Sequence, residues 1–269
     1  MFGEAIPILC YHRVLPELIE EDVPIYSVTP QQFNDQLAYL AQHGFQSLSL
    51  SEYSEILRGQ RPIPPRPVLI TFDDGYADIY SQAWPIARRY GMILNLFVCT
   101  SLICGQQPAI YSSLPASAKR HRQARPELWR PLTWTELRQM LDGGVGLGFH
   151  SHNHSLMSVL SETALREDLD LGLHLCEREL GFRPRFFALP HGTYQSYNDR
   201  VLSALRESGI ERVFTTRLRL DRVGKPGFLS SRIVVHQEDD LEAFEHKLYG
   251  AYDWMGHLRH LIQILQSLL

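Results

Sequence analysis

The strongest constraint in this sequence is a regular alternation of short apolar, β-rich runs with longer segments of helical periodicity. The first pair consists of a strand predicted over Ile6–Tyr11 and a helix that starts at Thr29-Pro30 and ends near Gly44. Threonine can cap this helix, and proline fits its first turn. Strands that alternate with helices predict an α/β fold.

About seven such strands are expected along the chain. No glycine-rich phosphate-binding sequence follows the first of them, which favours a distorted (β/α)7-type barrel over a doubly wound sheet. The predicted strands cover Ile6–Tyr11, Phe45–Leu50, Pro67–Phe72, Met92–Cys99, Leu147–Phe149 and Phe186–Leu189, with two more near Val213 and Ile233.

The rhythm fits one barrel domain over residues 1–269, with two additions. Residues 101–131 form a loop-like insertion with five basic residues, and a solvated surface is favoured over an anion-binding lid. Residues 241–269 form a helical extension, in which Gly256–Leu269 carries leucines and an isoleucine on one face. We expect this helix to pack on the barrel; peripheral association with a membrane or a biosynthetic complex is the alternative.

Composition excludes several classes of partner and compartment. The 26 Lys and Arg residues against 30 Asp and Glu leave a net charge of -4, so nucleic acid is not expected to bind. The four cysteines form no CxxC pair, so we expect buried thiols rather than a zinc ribbon or disulfide scaffold. No secretory signal precedes the first strand, and the longest apolar run, Met92–Cys104, is too short to span a bilayer. We therefore expect a cytoplasmic protein.

Titratable residues follow four predicted strands directly. They are Tyr11-His12, Asp73-Asp74, His150 and Pro190-His191. Barrel enzymes build their active sites at this end of their strands. The pattern therefore predicts an active site assembled from four separate segments.

Two of these segments carry residue types that bind metal ions. His150 and His154 are four residues apart and can share one ion, with His152 as a neighbour. The adjacent Asp73 and Asp74 point in different directions, so one carboxylate can hold the metal while the other faces a water molecule. A surface histidine cluster and an Asp-Gly turn are the structural alternatives.

The segment FALPHGTY, residues 187–194, is a strand that runs into a proline-containing turn. Backbone N–H groups in such a turn can face a developing oxyanion. A plain strand-to-loop exit is the alternative interpretation.

The order TFDDG, HSHNH and FALPHG, opened by ILCYHRV, resembles the polysaccharide deacetylase (NodB-homology) family of metal-dependent carbohydrate esterases. The match runs over Pro7–Ile233, and the closing stretch resembles the subgroup encoded with exopolysaccharide and lipopolysaccharide synthesis genes. The resemblance implies removal of the acetyl group from an N-acetylated sugar in a polysaccharide or a saccharide precursor. The motifs leave open whether the acetyl group sits on nitrogen or oxygen, and whether the sugar is polymeric, lipid-linked or nucleotide-linked.

The resemblance also implies roles for individual residues. It implies that Asp73 is the general base and that the backbone N–H of His191 stabilises the oxyanion. The implied ligands of a divalent metal, with Zn²⁺ as the expected ion, are Asp74, His150 and His154. Two rival functions remain: a deacetylase-like saccharide-binding protein with weak or no activity, and an iron oxygenase with two histidines and one carboxylate.

The chain departs from the family pattern at two positions. Ala188 stands where many members carry an arginine that orients the base. Val234-Val235-His236 only approximates the family's Leu-x-His motif, which supplies the acid that protonates the leaving amine. The resemblance makes His236 the expected acid, with His12 and His152 as the other candidates.

Arg232 is the candidate that replaces the missing arginine. It opens the last predicted strand, which in a closed barrel neighbours the first strands. From there its guanidinium can form a bidentate pair with a carboxylate in the polar interior, and we expect this pair to orient Asp73. A surface arginine at a strand start is the alternative.

Overall fold

The computed structural model describes residues 5–16, 26–106, 114, 116–224 and 227–253. Its main element is a parallel sheet that is nearly closed into a barrel, as expected. In chain order the described strands are β1 (Ala5–Ile6), β2 (Ile8–Tyr11), β3 (Arg13–Val14), β4 (Ser27–Val28), β5 (Gln46–Ser47), β6 (Pro67–Phe72), β7 (Leu94–Val98), β8 (Gly146–Phe149), β9 (Phe186–Ala188), β10 (Arg212–Thr215), β11 (Asp221–Arg222), β12 (Leu229–Ser231) and β13 (Ile233–Val234).

The sheet order explains how the barrel closes. Neighbouring strands run β12-β10-β9-β8-β7-β6-β2-β13, and β5 pairs with the start of β6. The two end strands, β12 and β13, are separated only by Arg232. One continuous segment therefore pairs with β10 on one side and with β2 on the other, in the registers Val213 to Leu229 and Leu9 to Ile233. If this segment is counted once, the barrel has seven strands.

Helices surround the sheet, and six of the nine described ones begin at side-chain caps. The Thr29 side chain accepts a hydrogen bond from Gln32 N, and the Gln32 side chain accepts one from Thr29 N, which together form the capping box that starts the first helix. That helix buries Phe33, Leu37 and Leu40 against the sheet, as its spacing predicts. The described helices are α1 (Pro30–Gln42), α2 (Leu50–Leu57), α3 (Trp84–Arg89), α4 (Thr100–Ile103), α5 (Ala116–Ala124), α6 (Trp134–Asp142), α7 (Glu162–Leu180), α8 (Asp199–Glu207) and α9 (Leu241–Leu248).

Two predicted strands differ from the observed ones for local reasons. The predicted strand Phe45–Leu50 shrinks to β5, because a capping box between Ser49 and Glu52 starts α2 at Leu50. The predicted strand Ile6–Tyr11 is interrupted at Pro7, which lacks a backbone N–H for a sheet ladder. Before the proline, β1 pairs antiparallel with β11; after it, β2 joins the barrel.

The insertion contains helical structure that the sequence analysis treated as a loop. Its described part includes α5 and a 3₁₀ turn at Pro126–Trp129. Arg13 fastens this turn to the barrel: its Nε donates to Asp78 Oδ2 at 2.6 Å, and its Nη2 donates to the Leu128 carbonyl. The insertion therefore packs beside the strand ends that carry the predicted site.

The C-terminal extension is described only in part. Helix α9 packs Phe244 and Leu248 into the core around α1. The helix predicted over Gly256–Leu269 lies outside the described residues. Among the helices that are described, none has the length and apolar character needed to cross a bilayer.

Candidate active site

The three motifs meet at the carboxyl end of the barrel, and their backbone there is strained. Within the described ranges, the non-glycine residues with positive φ are Asp74 at 70°, Ser151 at 64°, His154 at 54° and His191 at 63°. Each such conformation costs on the order of 1–3 kcal/mol and persists where the surrounding structure enforces it. All four belong to the predicted site, so the strain is concentrated where side chains must converge.

Asp74, His150 and His154 form one compact group. Asp74 Oδ1 lies 3.6 Å from His150 Nε2 and 3.5 Å from His154 Nε2, and all three residues are buried. The Nδ1 atom of His150 lies 2.8 Å from the Ala188 carbonyl oxygen. As the donor in this hydrogen bond, Nδ1 carries the proton and leaves the Nε2 lone pair facing Asp74.

This group fits a divalent cation. Asp74 Oδ1 is buried and has no hydrogen-bond partner among the described residues. Burial, and secondly the neighbouring Asp73, raise the pKa of Asp74 to about 8, while burial lowers the pKa of His150 and of His154. Two neutral imidazoles and a carboxylate without a positive partner are suitable ligands for a metal ion, whose charge would stabilise the ionised carboxylate.

Asp73 is held separately by Arg232. Nη1 of Arg232 donates to Oδ1 of Asp73 at 2.6 Å, and Nη2 donates to Oδ2 at 2.7 Å. Burial opposes ionisation of Asp73, but Arg232 and then His150 outweigh it and hold its pKa below the usual range. The predicted bidentate pair is therefore present, and it originates from the residue that closes the barrel. Its effect on the reaction rate stays a prediction.

The three candidate acids have different surroundings. His12 follows β2 directly, and its Nε2 lies 4.0 Å from Asp73 Oδ2. The His236 ring packs on Tyr26 at 5.1 Å, and Tyr26 in turn packs on His12 at 4.9 Å. His152 is turned aside, with its Nδ1 2.9 Å from Thr100 Oγ1.

The adjacency of β2 and β6 brings His12 close to Asp73. Tyr11 pairs with Phe72 in the sheet, so the residues that follow these two strands are neighbours. The motifs placed His12 at a strand end as a candidate acid after His236, and which residue is the acid stays a prediction; the proximity of His12 to Asp73 was not predicted. Strand order was the missing information, because it shows which strand ends are adjacent.

The turn at His191 is anchored to the next strand end. The Thr216 hydroxyl donates to the His191 carbonyl oxygen at 3.0 Å, and Thr216 N donates to the Gly192 carbonyl oxygen. A Cβ at Gly192 would lie 2.6 Å from the Thr216 side chain, so this close approach requires glycine. The His191 ring lies 5.1 Å from that of His154, beside the predicted metal group. The oxyanion role of the His191 N–H stays a prediction.

Cys10 is a neighbour of Asp73 that no sequence motif indicated. Its thiol donates to Asp73 Oδ2 over 3.7 Å, and the residue is fully buried in β2. Burial raises the pKa of this thiol well above its usual value. The sequence analysis correctly treated Cys10 as a buried thiol, but the contact depends on the pairing of Cys10 with Thr71 in the sheet.

Comparison with curated proteins gives several relatives. The poly-beta-1,6-N-acetyl-D-glucosamine N-deacetylase of Staphylococcus epidermidis is 24% identical over 250 residues, which cover 86% of this chain and 78% of that protein. The protein YxkH of Bacillus subtilis is 24% identical over 211 residues, which cover 78% of this chain and 64% of that protein. This chain therefore spans just under two thirds of the length of YxkH.

Solved structures share the barrel. IcaB from Ammonifex degensii superposes with a TM-score of 0.70 at 25% identity, over 91% of this chain and 96% of that one. The Streptococcus pyogenes deacetylase PplD, in complex with acetate, superposes with a TM-score of 0.73 at 21% identity, over 91% and 98% of the two chains. At 21% identity, the similarity to PplD shows only that the two proteins share a fold.

A family model described as polysaccharide deacetylase matches residues 60–213, which is more than half of the chain. The matched segment contains the acidic pair, the histidine cluster and the turn at His191. The family and the barrel fold expected from the sequence are thereby confirmed. The chain belongs to the polysaccharide deacetylase family.

Proposed function

We propose that this chain hydrolyses the N-acetyl groups of a hexosamine polymer, with release of acetate and a free amine on the sugar. The observation that carries the proposal is the division of the two adjacent aspartates. Arg232 holds Asp73 as an ionised carboxylate, while Asp74 faces two imidazoles and lacks a positive partner. A base and a metal ligand are the two roles that amide hydrolysis of this type requires.

Asp74, His150 and His154 would hold the metal. A bound divalent cation supplies Lewis-acid polarisation of the amide carbonyl and lowers the pKa of a coordinated water. We propose Zn²⁺ as this ion, because two imidazoles and one carboxylate are a common catalytic zinc ligand set.

The remaining steps belong to residues of the chain. Asp73 takes a proton from the attacking water, and the fixed guanidinium of Arg232 keeps both carboxylate oxygens oriented during this transfer. Water adds to the amide carbon, and the backbone N–H of His191 donates to the oxyanion that forms. The C–N bond then breaks, and the amine leaves with a proton.

We propose His12, in place of His236, as the residue that delivers this proton. Burial lowers the pKa of His12 to about 4, so the imidazole is neutral and must first receive a proton. Asp73 lies 4.0 Å away, and its pKa is lower still. The proposed path of the proton runs from Asp73 Oδ2 to His12 Nε2 and then to the amine nitrogen.

The substrate proposal starts from the relatives. The Staphylococcus epidermidis protein is named for poly-beta-1,6-N-acetyl-D-glucosamine, so this polymer is the first substrate to test. Arg232 also weakens the rival view of a saccharide-binding protein, because it supplies the orienting cation whose absence at Ala188 supported that view.

The test is acetate release from poly-β-1,6-N-acetylglucosamine, measured together with the appearance of free amines. We expect activity that chelation abolishes and Zn²⁺ restores, and an O-acetylated, N-unsubstituted glycan serves as the matched control for amide selectivity. Binding of the polymer without acetate release, by protein with full metal content, would support the saccharide-binding alternative instead.

A further inference from the structure

A second group of metal-binding atoms lies directly beside the first. It consists of Cys10 Sγ, His12 Nε2 or Nδ1 and one oxygen of Asp73, and these ligand atoms lie within 4.8 Å of one another. We propose that Cys10, His12 and Asp73 form a second, inhibitory site for thiophilic divalent cations such as Zn²⁺ and Cd²⁺. The inhibitory role rests on the proposed function, whereas the site itself does not.

The distances suit a single small ion. Asp73 Oδ2 lies 3.7 Å from Cys10 Sγ and 4.0 Å from His12 Nε2. Tetrahedral zinc, with bonds of about 2.0–2.3 Å, places its ligand atoms roughly 3.3–3.8 Å apart. Closure of the group onto an ion therefore requires a few tenths of an ångström between His12 and Asp73, and at most about 1 Å between His12 and Cys10, whose ligand atoms lie within 4.8 Å of each other.

The chemistry of the group favours soft cations. Thiolate and imidazole are strong ligands for Zn²⁺ and Cd²⁺ and weak ligands for Mg²⁺. Cys10 takes no part in the proposed reaction, so its thiol is free to lose its proton to solvent when a metal–sulfur bond forms. The site should therefore prefer soft cations to hard ones. A site built only of carboxylates would not show this preference.

Charge makes this site weaker than the first. With the thiol protonated, the charges of Asp73 and Arg232 cancel. Addition of a divalent cation and loss of one thiol proton leave the cluster at +1, beside the guanidinium. The Asp74 group contains no such cation, so it should fill first and the Cys10 group only in excess metal.

Occupancy would block catalysis at two points. An ion on Asp73 Oδ2 and on a His12 ring nitrogen occupies both groups that the proposed proton transfer uses. Loss of a positioned acid and base costs at least about 10²-fold in rate. We therefore expect activity to rise to one equivalent of Zn²⁺ and to fall by about that factor in excess.

The test begins with metal binding and needs no turnover. Protein loaded with one equivalent of Zn²⁺ is titrated with CdCl₂, in a Cys104→Ser background that removes the exposed thiol. Equilibrium dialysis counts bound ions, and near-ultraviolet absorption detects a thiolate-to-Cd²⁺ charge-transfer band. We expect a second bound equivalent accompanied by this band.

Two variants and one control assign the band to Cys10. Cys10→Ser, and Cys10→Ala if the serine variant folds poorly, should bind a single equivalent and show no band. Cys99→Ser is the matched control, because Cys99 is also buried, with its thiol 3.0 Å from the His152 carbonyl oxygen, and this variant should keep the band. Parent protein that stops at one equivalent, or a Cys10 variant that binds the second ion with the band, would overturn the proposal.

Activity then tests the inhibitory role. For each protein, acetate release at excess Zn²⁺ is divided by its own release at one equivalent. This ratio should fall to about 0.01 or less in the parent protein and stay near 1 in the Cys10 variants, and excess Mg²⁺ should leave it unchanged in both. A protein that releases no acetate at any metal level contradicts the proposed function, while the binding result still decides the site.

Discussion

Two buried polar clusters lie at opposite ends of the barrel, and they differ in how completely their atoms are paired. At the amino end, Tyr53 Oη donates to Asp221 Oδ2 and lies 2.7 Å from Ser230 Oγ. Arg212 Nε donates to the same serine hydroxyl at 2.6 Å, and Asp221 Oδ1 accepts a hydrogen bond from Ser231 N. Each of these side chains therefore has a hydrogen-bond partner within the fold.

At the carboxyl end, pairing is incomplete. His12 Nδ1, Asp74 Oδ1 and His154 Nδ1 are buried without a hydrogen-bond partner among the described residues. An unpaired buried polar atom costs about 1–3 kcal/mol, so a fold retains several together only where something else completes them. Both ends therefore bury polar groups, but at the carboxyl end the unpaired atoms include Asp74 Oδ1, which belongs to the group proposed to hold the metal.

The largest expected effect separates the two aspartates of the carboxyl end. Asp73→Asn removes the base and leaves the Asp74 group intact, so turnover should fall by about 10²- to 10⁴-fold with one metal ion still bound at that group. Asp74→Ala should lose both metal and turnover. The measurements are acetate release and metal content by atomic spectroscopy.

His150→Ala and His154→Ala serve as matched ligand controls and should behave like Asp74→Ala. Asp73→Asn protein that hydrolyses substrate at the wild-type rate would remove Asp73 from the role of base. Loss of tightly bound metal in Asp73→Asn, with the fold retained, would instead show that the two aspartates act as one ligand unit.

The next effect concerns stability of the cation-free protein against pH. Asp74 ionises at about 4 in the unfolded chain, whereas burial raises its folded pKa to about 8. Between these values the folded state binds more protons at Asp74, so the contribution of this group to the free energy of unfolding should fall as pH rises and level off above pH 8. The total change is on the order of a few kcal/mol.

Thermal unfolding across this range, with and without Zn²⁺, checks the sign. Saturating Zn²⁺ or the substitution Asp74→Asn should remove this component of the slope. Asp73 affects the free energy of unfolding in the opposite direction and at lower pH. Because its folded pKa is lowered, ionised Asp73 stabilises the fold above about pH 4, and this stabilisation is lost as pH falls further. The buried histidines His12, His150 and His154 act in the opposite direction below about pH 6.5, because burial lowers their pKa values. A cation-free Tm that falls no more between pH 6.5 and 8 in the parent protein than in Asp74→Asn would contradict the burial of an unpaired Asp74.

Arg232→Ala should reduce kcat by at least roughly tenfold, equivalent to about 1.4 kcal/mol of transition-state stabilisation. The physical reason is the loss of both hydrogen bonds that orient Asp73. Removal of the guanidinium also raises the pKa of Asp73, so the acidic limb of the pH–rate profile should move to higher pH. A purely structural defect would not produce this shift.

Arg232→Lys is the matched variant, because it retains the charge and loses the bidentate geometry. It should keep the acidic limb near its wild-type position while kcat falls. An unchanged kcat in Arg232→Ala, with metal occupancy confirmed, would show that the orientation of Asp73 does not depend on this pair.

Sequence patterns predicted the carboxyl end better than the amino end, for a physical reason. Site residues such as Asp73 and His150 follow apolar strands directly, and parallel strands bring their carboxyl ends to one face. The absence of an arginine at Ala188 then pointed to Arg232, because a buried carboxylate needs a positive partner. The choice of His12 over His236 required the order of strands, which no local pattern contains.

The amino-end cluster left no comparable signal. Tyr53 lies on the buried face of α2, whereas Asp221 lies in β11, 168 positions further along the chain. Neither residue follows a strand in a recognisable motif, and each is of a type that surface segments also carry. The predicted strand Phe45–Leu50 was too long for a different reason: the apolar run suits a strand until the Ser49 capping box, which starts α2, is recognised.

The smallest effect on turnover is expected from a substitution at the paired end. Tyr53→Phe removes one hydroxyl from the amino-end cluster and leaves Asp221 with Ser231 N and the nearby Arg212 guanidinium. The free energy of unfolding should therefore fall by about 1 kcal/mol, the usual net value of one hydrogen bond. Because no proposed ligand or proton-transfer group is touched, metal content and kcat below the unfolding transition should match wild type.

Denaturant unfolding and acetate release on the same preparation of Tyr53→Phe measure stability and turnover. A fall in kcat with unchanged stability would break the comparison, because it would mean that the satisfied cluster acts in the reaction and does more than close the barrel.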